Sequence, residues 1–398
     1  MDKQDSFDNF PISRKAHAVK PFIVMDIMEH AQEMERCGEH IIHLEVGEPD
    51  FDTPEPVVEA AIRALRDGRT HYTHSMGLLE LRYAIAAHYL DKYKVDVSPD
   101  QIIISNGTSP ALSMIFNTLL SPGDEVIMTD PHYACYPNFV EFADGAPRFV
   151  PASEHQGFQY DAHAVEQAVN SRTRAILVNS PSNPGGTVIP SDTLEKIVNL
   201  GVPLVSDEIY HGLDYNGRAR SALEFTDNAF VINGFSKLYA MTGWRVGYLI
   251  APKRYIRTIQ KLHQNFSISA NAFVQWAAIK ALTECGDHVA NMAKLYNTRR
   301  IGMLNALERI GLKPPVEPTG AFYVFVNFRH VDNDSLRLAM DILEKAKVAC
   351  TPGIDFGANG QGFIRFTYAN SLENIEEGMR RLETYLQQRG ALHGARDV

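Results

Sequence analysis

A single lysine, Lys237, follows an apolar segment in the sequence GFSKLYAMTGWRVGYLI, which spans residues 234–250. A free lysine has a pKa of roughly 10.4, so at neutral pH only about one in a few thousand is the nucleophilic amine. A nucleophilic lysine must therefore be desolvated or held as an imine. The position of Lys237 would allow this, and an exposed lysine at a strand end is the alternative interpretation.

Residues able to bind a phosphate lie beside this lysine and in a second segment. Arg245 can hold a phosphate through two hydrogen bonds, and Ser236 can add a hydroxyl group. The sequence NGTSPAL (106–112) leads from a strand through Gly107 into a helix, where free N–H groups favour an anion. Neither G-x-G-x-x-G nor G-x-x-x-x-G-K-[ST] is present, so the nicotinamide and P-loop interpretations lose their main support.

A carboxylate lies within the apolar segment VSDEIY (205–210). Because an unpaired carboxylate is costly to bury, Asp207 should contact a cation, and a protonated ring nitrogen would serve. Tyr210 follows three residues later. A helix N-cap or a structural ion pair is the alternative for Asp207, and we interpret Glu208 as an ordinary acid at a strand end.

The elements that would position these residues alternate from about residue 55. The strand-like segments are short, rich in Val and Ile, and end at Gly, Pro, Ser or Asp. They are QIIIS (101–105), EVIMT (125–129), RAILVNSP (174–181), VPLVSDEIY (202–210), FVINGFS (230–236) and WRVGYLIAP (244–252), with predicted helices at 109–120 and 191–200. This alternation predicts an α/β domain with a mostly parallel sheet, whose ligands bind beyond the carboxyl ends of the strands.

The pattern changes after about residue 285. A long amphipathic helical segment (288–311) leads to GAFYVFVNF, another helix and GFIRFTY, which favours a smaller α+β domain. We therefore expect a large domain over residues 48–285. The small domain would comprise residues 286–398 together with residues 1–47, which include an N-terminal arm.

Composition narrows the classes of protein that remain. The net charge is −10 and no dense cluster of Lys and Arg occurs, which argues against a nucleic-acid partner. The four cysteines are widely separated, so we expect reduced thiols. His71 and His74 have no third ligand in view, so we expect no metal. A polar N-terminus and the lack of a membrane-length apolar run predict a cytoplasmic protein without a membrane partner.

Taken together, these motifs resemble those of pyridoxal-phosphate enzymes of the aspartate aminotransferase superfamily (fold type I). The chain is similar to a class I/II aminotransferase over nearly its whole length, and SKLYAMTGWRVGY resembles the cofactor-lysine signature almost letter for letter. Other matching motifs, in the family's order, are VGEPDFDTP (46–54), HYTHSMGLLELR (71–82), NSPSNPGGTV (179–188), SDEIY (206–210), GAFYVF (320–325) and IRFTYANS (364–371). The resemblance implies an α/β large domain, with a mostly parallel seven-stranded sheet flanked by helices, and a smaller α+β domain.

The resemblance also implies how pyridoxal 5′-phosphate would be held. Lys237 would form the Schiff base, and Asp207 would keep the ring nitrogen protonated, which makes the ring an electron sink. Tyr133 would stack on the ring, the alternative being a core tyrosine. The residues implied to bind the cofactor are Gly107, Thr108, Ser109, Tyr133, Asn183, Asp207, Tyr210, Ser236, Lys237 and Arg245, with Tyr72 reaching in from the other subunit of a homodimer.

The reaction implied is a ping-pong transamination between an L-amino acid and a 2-oxo acid. Arg365 matches the arginine that binds the substrate α-carboxylate, with Gly47 and Asn183 close by. The amino acid would displace Lys237 from the cofactor, and the freed amine would then move a proton as general base and acid, with Lys237, Asp207 and Tyr210 as the catalytic group. Without the resemblance, Arg365 would be interpreted as a solvent-facing strand residue.

Two segments bear on the substrate. Aspartate-specific prokaryotic members carry a lysine where this chain has Ser109, and VKPFIVMDI (19–27) matches a segment that folds over the substrate. We therefore expect a preference for neutral or apolar amino acids, although the N-terminal segment could equally be a helix face packed on the protein. The alternatives are a β-lyase acting on cysteine-type substrates, an aspartate aminotransferase and, outside catalysis, a regulator that has kept the fold.

Overall fold

Helices and strands alternate along most of the chain in the computed structural model, which describes residues 12–215, 217 and 219–391. The described helices are α1 (Arg14–Ala18), α2 (Ile23–Arg36), α3 (Glu55–Arg66), α4 (Leu79–Tyr93), α5 (Thr108–Leu119), α6 (Tyr136–Phe142), α7 (Ala162–Ala168), α8 (Ser191–Val198), α9 (Lys253–Phe266), α10 (Ala272–Glu284), α11 (Gly286–Arg309), α12 (Ser335–Ala346) and α13 (Leu372–Gln388). The described strands are β1 (Ile42–His43), β2 (Ile102–Ser105), β3 (Glu125–Asp130), β4 (Ala146–Pro151), β5 (Thr173–Asn179), β6 (Leu204–Asp207), β7 (Ala229–Gly234), β8 (Gly247–Ile250), β9 (Tyr323–Asn327), β10 (Val348–Ala349), β11 (Thr351–Pro352) and β12 (Phe363–Thr367).

The main sheet has seven strands in the order β2-β8-β7-β6-β5-β3-β4. All of its pairings are parallel except those of β8, which runs antiparallel to both β2 and β7. The predicted mostly parallel sheet is therefore confirmed. Because β2 and β7 each oppose β8, their carboxyl ends lie at the same edge as those of β5 and β6.

One strand of this sheet, β4, was not predicted from the sequence. It pairs only with β3 at the sheet edge, and most of its residues are exposed or half-buried. It also contains Pro147 and Pro151, which sheets tolerate mainly in edge strands. Its sequence therefore lacks the continuous apolar run by which the central strands were recognised.

Both faces of the sheet are buried, because successive side chains of a strand point to opposite sides. In β2, Ile102 and Ile104 belong to one apolar cluster and Ile103 to the other. Helix α5 covers the second face with Ile115 and Phe116. This two-sided burial explains why the central strands read as unbroken Val- and Ile-rich segments.

A second group of elements follows the main sheet. Strands β11, β12 and β9 form a three-stranded antiparallel sheet, and β1 pairs with β10. Helices α11, α12 and α13 accompany them, while α2 lies against β10 and β11. Within the described residues, no helix combines the length and apolar character needed to cross a membrane.

Candidate active site

A cavity of about 240 Å³ opens where the carboxyl ends of the central strands meet the second group of elements. The predicted cofactor and substrate residues line this cavity, with two exceptions. Gly107 lies just behind the lining, next to Arg245, and Tyr72 lies outside the cavity. Five residues at strand ends, which we call the floor, are Gly107, Asn183, Asp207, Ser236 and Lys237.

Lys237 lies three residues beyond the end of β7 and is partly buried. Its Nζ donates a hydrogen bond to the carbonyl oxygen of Gly47 at 2.6 Å. Burial lowers the pKa of Lys237 to about 8, while the negative charge of Glu48 opposes this shift. At neutral pH roughly a tenth of the side chain is then the free amine, far more than for an exposed lysine.

Asp207 is the last residue of β6, the strand next to β7, and is 5% exposed. Its Oδ2 accepts a hydrogen bond from the Tyr136 hydroxyl at 2.7 Å, and its Oδ1 accepts one from the Ile209 N–H at 3.1 Å. Burial raises the pKa of Asp207 to about 6, and these two hydrogen bonds act in the opposite direction. The site therefore holds a desolvated carboxylate that a cation would stabilise further.

The neighbouring carboxylate, Glu208, corrects one sequence interpretation. It is 1% exposed and accepts hydrogen bonds from the hydroxyl groups of Ser206 and Ser221, at 3.2 and 3.0 Å. It also accepts one from the Ala222 N–H at 2.9 Å. Burial raises the pKa of Glu208 to about 8. It is thus an internal structural acid rather than an ordinary acid at a strand end.

Two phenols meet on one side of the cavity. The hydroxyl groups of Tyr210 and Tyr323 lie 2.8 Å apart, and both side chains are buried. A Cβ atom at Gly47 would lie 1.9 Å from the Tyr323 hydroxyl oxygen, so only glycine fits there. Tyr323 was not predicted as a site residue, although it lies within the matched GAFYVF motif; Tyr136, also not predicted, lies three residues after Tyr133 in the sequence.

An anion cradle forms where β2 leads into α5. Gly107 has a φ of +95°, and a Cβ atom there would lie 2.6 Å from Nη2 of Arg245. Helix α5 begins at Thr108 without a side-chain cap, so its first N–H groups have no side-chain partner. Arg245 is exposed, has a φ of +55° and donates from Nη1 to the carbonyl oxygen of Thr242 at 3.1 Å. The predicted phosphate residues thus lie together.

Arg365 is buried in the middle strand of the small antiparallel sheet, not exposed to solvent. Its Nη1 donates to Oδ1 of Asn183 at 2.9 Å, and its Nη2 donates to Oγ1 of Thr351 at 3.1 Å and to the carbonyl oxygen of Glu45. The guanidinium lies 4.3 Å from the ring centre of Tyr323. Its Nε is buried without a hydrogen-bond partner. The Nε N–H is therefore a donor still without a partner, as a site for a carboxylate would require.

The opposite side of the cavity is apolar. Phe22, Val24 and Met25, which we call the roof, line it from the start of α2, and the Phe22 ring meets the Tyr133 ring edge-on at 5.9 Å. Further along α2, Ile27 packs into the core. The N-terminal segment therefore lines the cavity with one part and packs on the core with another, so each of its two interpretations describes part of it.

Ser109 and Tyr72 occupy different environments. Ser109 lines the cavity from the first turn of α5, and Leu112 lines it one turn later. Tyr72 lies between α3 and α4 and is 80% exposed, outside the cavity of its own chain. Its contact with a second subunit stays a prediction.

Sequence comparisons give known relatives over nearly the whole chain. The family pattern described as aminotransferase class I and II matches residues 39–382. The chain is 43% identical to the (5-formylfuran-3-yl)methyl phosphate transaminase of Methanocaldococcus jannaschii, over 95% of this chain and 100% of the relative. It is 40% identical to the aspartate/prephenate aminotransferase of Thermus thermophilus, over 94% of this chain and 98% of the relative.

Solved structures share the fold. One from Methanococcus jannaschii, described as similar in its active site to kynurenine aminotransferases, has a TM-score of 0.88 at 42% identity and covers 94% of this chain and 100% of its own. The aspartate aminotransferase from Thermus thermophilus with maleate has a TM-score of 0.91 at 38% identity, covering 94% and 99%. These similarities extend over the main sheet and the cavity alike.

Proposed function

The chain belongs to the aminotransferase class I and II family, and from this premise we propose that it transaminates amino acids with pyridoxal 5′-phosphate bound over Asp207 and next to Lys237. Membership of the family confirms the resemblance found in the sequence. The relatives named above are transaminases, so the β-lyase alternative is not favoured. Enzymes of this family use pyridoxal phosphate in general, and its place in this chain is our inference.

The residues present suit each part of this cofactor. The cradle of Gly107, the start of α5 and Arg245 suits a phosphate group, since N–H groups and a guanidinium converge there. The buried Asp207 carboxylate suits a protonated ring nitrogen. The paired hydroxyl groups of Tyr210 and Tyr323 line the same cavity as Asn183 and suit a phenolic oxygen.

When bound, pyridoxal phosphate supplies an aldehyde for the amino group and a ring that accepts electrons. Lys237 contributes an amine that is largely desolvated. This amine can act first as a general base, which takes a proton from substrate Cα, and then as a general acid, which donates the proton again. Asp207 holds positive charge on the ring nitrogen. Arg365 fixes the substrate carboxylate and so determines which Cα bond is presented to Lys237.

One observation carries this proposal. A partly buried lysine with a lowered pKa, a buried carboxylate and an arginine with an unpartnered Nε line the same cavity. Each of these features alone has a structural explanation. Their convergence matches the requirements of a carbonyl cofactor with an amino-acid substrate.

We further propose a homodimer in which Tyr72 reaches the phosphate of the partner's site. Tyr72 and Phe266 are each 80% exposed, and their segments meet where the Thr73 N–H donates to Oγ of Ser269 at 3.4 Å. Exposed apolar side chains on adjoining segments are typical of a contact with a partner. We also retain the division into a large domain of residues 48–285 and a small domain of residues 1–47 and 286–398 as a proposal.

We propose neutral or apolar amino acids as the preferred substrates. The apolar roof and Leu112 line the cavity, and Ser109 provides only a hydroxyl group. Among the described residues that line it, the basic ones are Lys237, Arg245 and Arg365, each with a role given above. Within the described residues of one subunit, the cavity lining offers no further cation to pair with a second substrate carboxylate, which separates this proposal from the aspartate alternative.

A kcat/KM screen over alanine, leucine, methionine, phenylalanine and aspartate tests this preference. We expect aspartate to be a poor donor, and an enzyme for which it is the best donor would contradict the proposal. The variant Ser109→Lys should raise kcat/KM for aspartate about tenfold or more, since a charge-assisted hydrogen bond stabilises by about 1.5–3 kcal/mol. Ser113→Lys, on the same helix but outside the cavity lining, is the matched control.

A further inference from the structure

A buried carboxylate outside the cavity lining connects the roof to the substrate arginine. Asp355 lies in the short 3-10 helix Gly353–Phe356 between β11 and β12 and is 8% exposed. We propose that Asp355 is a positioning residue that holds the roof at a fixed height above the carboxylate site, and so limits which substrate side chains fit. This inference rests on the proposed function, because it concerns the same cavity.

Asp355 caps helix α2 from a distant part of the chain. Its Oδ1 accepts a hydrogen bond from the Ile23 N–H at 3.0 Å, and its Oδ2 accepts one from the Val24 N–H at 3.3 Å. The N-cap residue, Phe22, makes no side-chain hydrogen bond of this kind. Because the first N–H groups of a helix lack partners within it, the carboxylate fixes the turn that carries the roof.

The loop that carries Asp355 is also tied to Arg365. The ring centre of Phe356, the next residue, lies 4.9 Å from the Arg365 guanidinium, and Thr351 in β11 accepts a hydrogen bond from the same arginine at 3.1 Å. The Phe356 carbonyl oxygen accepts a hydrogen bond from the His132 N–H at 2.9 Å, just beyond β3. The roof and the carboxylate site therefore share one rigid support.

The chain before the roof has a weaker attachment. The backbone of Lys20 exchanges two hydrogen bonds of 3.2 Å with the Asn138 side chain, and both residues are exposed or half-buried. The roof side chains are apolar and contribute no hydrogen bonds of their own. Asp355 is thus the buried polar group that sets the height of the roof.

The variant Asp355→Asn tests this role with little change in volume. An amide lacks the charge and one of the two acceptors, so the first turn of α2 should loosen. We expect KM for leucine, methionine and phenylalanine to rise about fivefold, because losing a helix cap costs roughly 1 kcal/mol. KM for alanine, whose methyl group offers the least surface to the roof, and kcat for all four amino acids should stay within about twofold.

Asp161→Asn is the matched control. Asp161 caps α7 from its own N-cap position, with Oδ1 alone accepting from the His163 and Ala164 N–H groups at 2.9 and 3.3 Å, and α7 does not line the cavity. It should leave the ratio of KM values unchanged. A general effect of removing a negative charge from the start of a helix would make the two variants alike.

Amide hydrogen exchange supplies a readout that needs no turnover. Exchange at Ile23 and Val24 should be faster in Asp355→Asn than in the unaltered protein, and unchanged in Asp161→Asn. If Asp355→Asn does not fold, Asp355→Ser, which keeps one acceptor, serves in its place. An unchanged exchange rate, or an equal change of KM for alanine and leucine, would overturn the proposal. If no amino acid is turned over, the proposed function fails, and exchange alone decides whether Asp355 holds the helix.

Discussion

The floor and the roof of the cavity are built by opposite principles. The floor is polar, lies at the ends of central strands and is supported by hydrogen bonds, such as those from Tyr136 to Asp207 and from Lys237 to Gly47. The roof is apolar and rests on a helix that is itself held by Asp355. A rigid sheet edge can hold charged groups at defined positions, whereas an apolar surface distinguishes substrates by size.

Because of this difference, we expect changes in the floor and changes in the roof to affect different kinetic constants. Charges placed in a desolvated site act on the developing charge of the reaction, so changes in the floor should lower kcat. Apolar contacts act on the bound side chain, so changes in the roof should alter KM for some substrates and not others.

The largest effect is expected from Asp207→Asn, compared with Glu208→Gln at the next position. Asp207→Asn should lower kcat about 10²- to 10³-fold, because a neutral amide cannot stabilise positive charge on the ring. Glu208→Gln should leave kcat within about threefold, because Glu208 does not line the cavity. It should reduce the free energy of unfolding by about 1 kcal/mol, because the amide nitrogen replaces Oε2, which accepts from the Tyr89 hydroxyl group at 3.5 Å. Steady-state kinetics and urea unfolding measure both. Equal losses of kcat in the two variants would contradict the conclusion that Asp207 acts in the reaction whereas Glu208 is structural.

A smaller effect is expected in the roof. Phe22→Ala removes a ring that lines the cavity and should raise KM for large apolar amino acids about tenfold, with kcat nearly unchanged. Tyr83→Ala, which removes a 59% exposed ring from α4, outside the cavity lining, is the control and should leave KM unaltered. A fall in kcat without a change in KM would show that the roof takes part in the chemistry. It would contradict the distinction between floor and roof.

The smallest effect concerns the pKa of Lys237. In cofactor-free protein, the rate of labelling of Lys237 by an amine reagent should reach half its maximum near a pH of about 8. Glu48→Gln should lower this midpoint, because removing a negative charge destabilises the ammonium form. Glu59→Gln, which changes an exposed residue of α3, should leave this midpoint unchanged. A midpoint near roughly 10.4 would show that Lys237 is solvated.

The sequence predicted the floor far better than its surroundings. Lys237, Asp207 and Gly107 follow recognisable apolar strands, and parallel strands bring their carboxyl ends together. Strand β4 was missed because an exposed edge strand lacks the apolar pattern of a buried one. The periodicity of GFIRFTY gave no sign that Arg365 is buried; only the motif resemblance singled it out.

Long-range contacts explain most of what remained unpredicted. Asp355 caps a helix more than 300 positions away, and Tyr136 reaches Asp207 across 71 positions. The residues of each contact are far apart in the sequence, so no local sequence pattern can reveal that they meet. Glu208 was interpreted as an ordinary acid at a strand end for the same reason, since Ser221 and Ala222 approach it only in the folded chain.

The covalent attachment of the cofactor tests the central claim most directly. The protein loaded with pyridoxal 5′-phosphate is reduced with borohydride, which converts a cofactor–lysine linkage into a stable amine, and its peptides are analysed by mass spectrometry. Our account predicts one modified peptide, carrying the cofactor on Lys237. Modification of a different lysine, or of none, would contradict it.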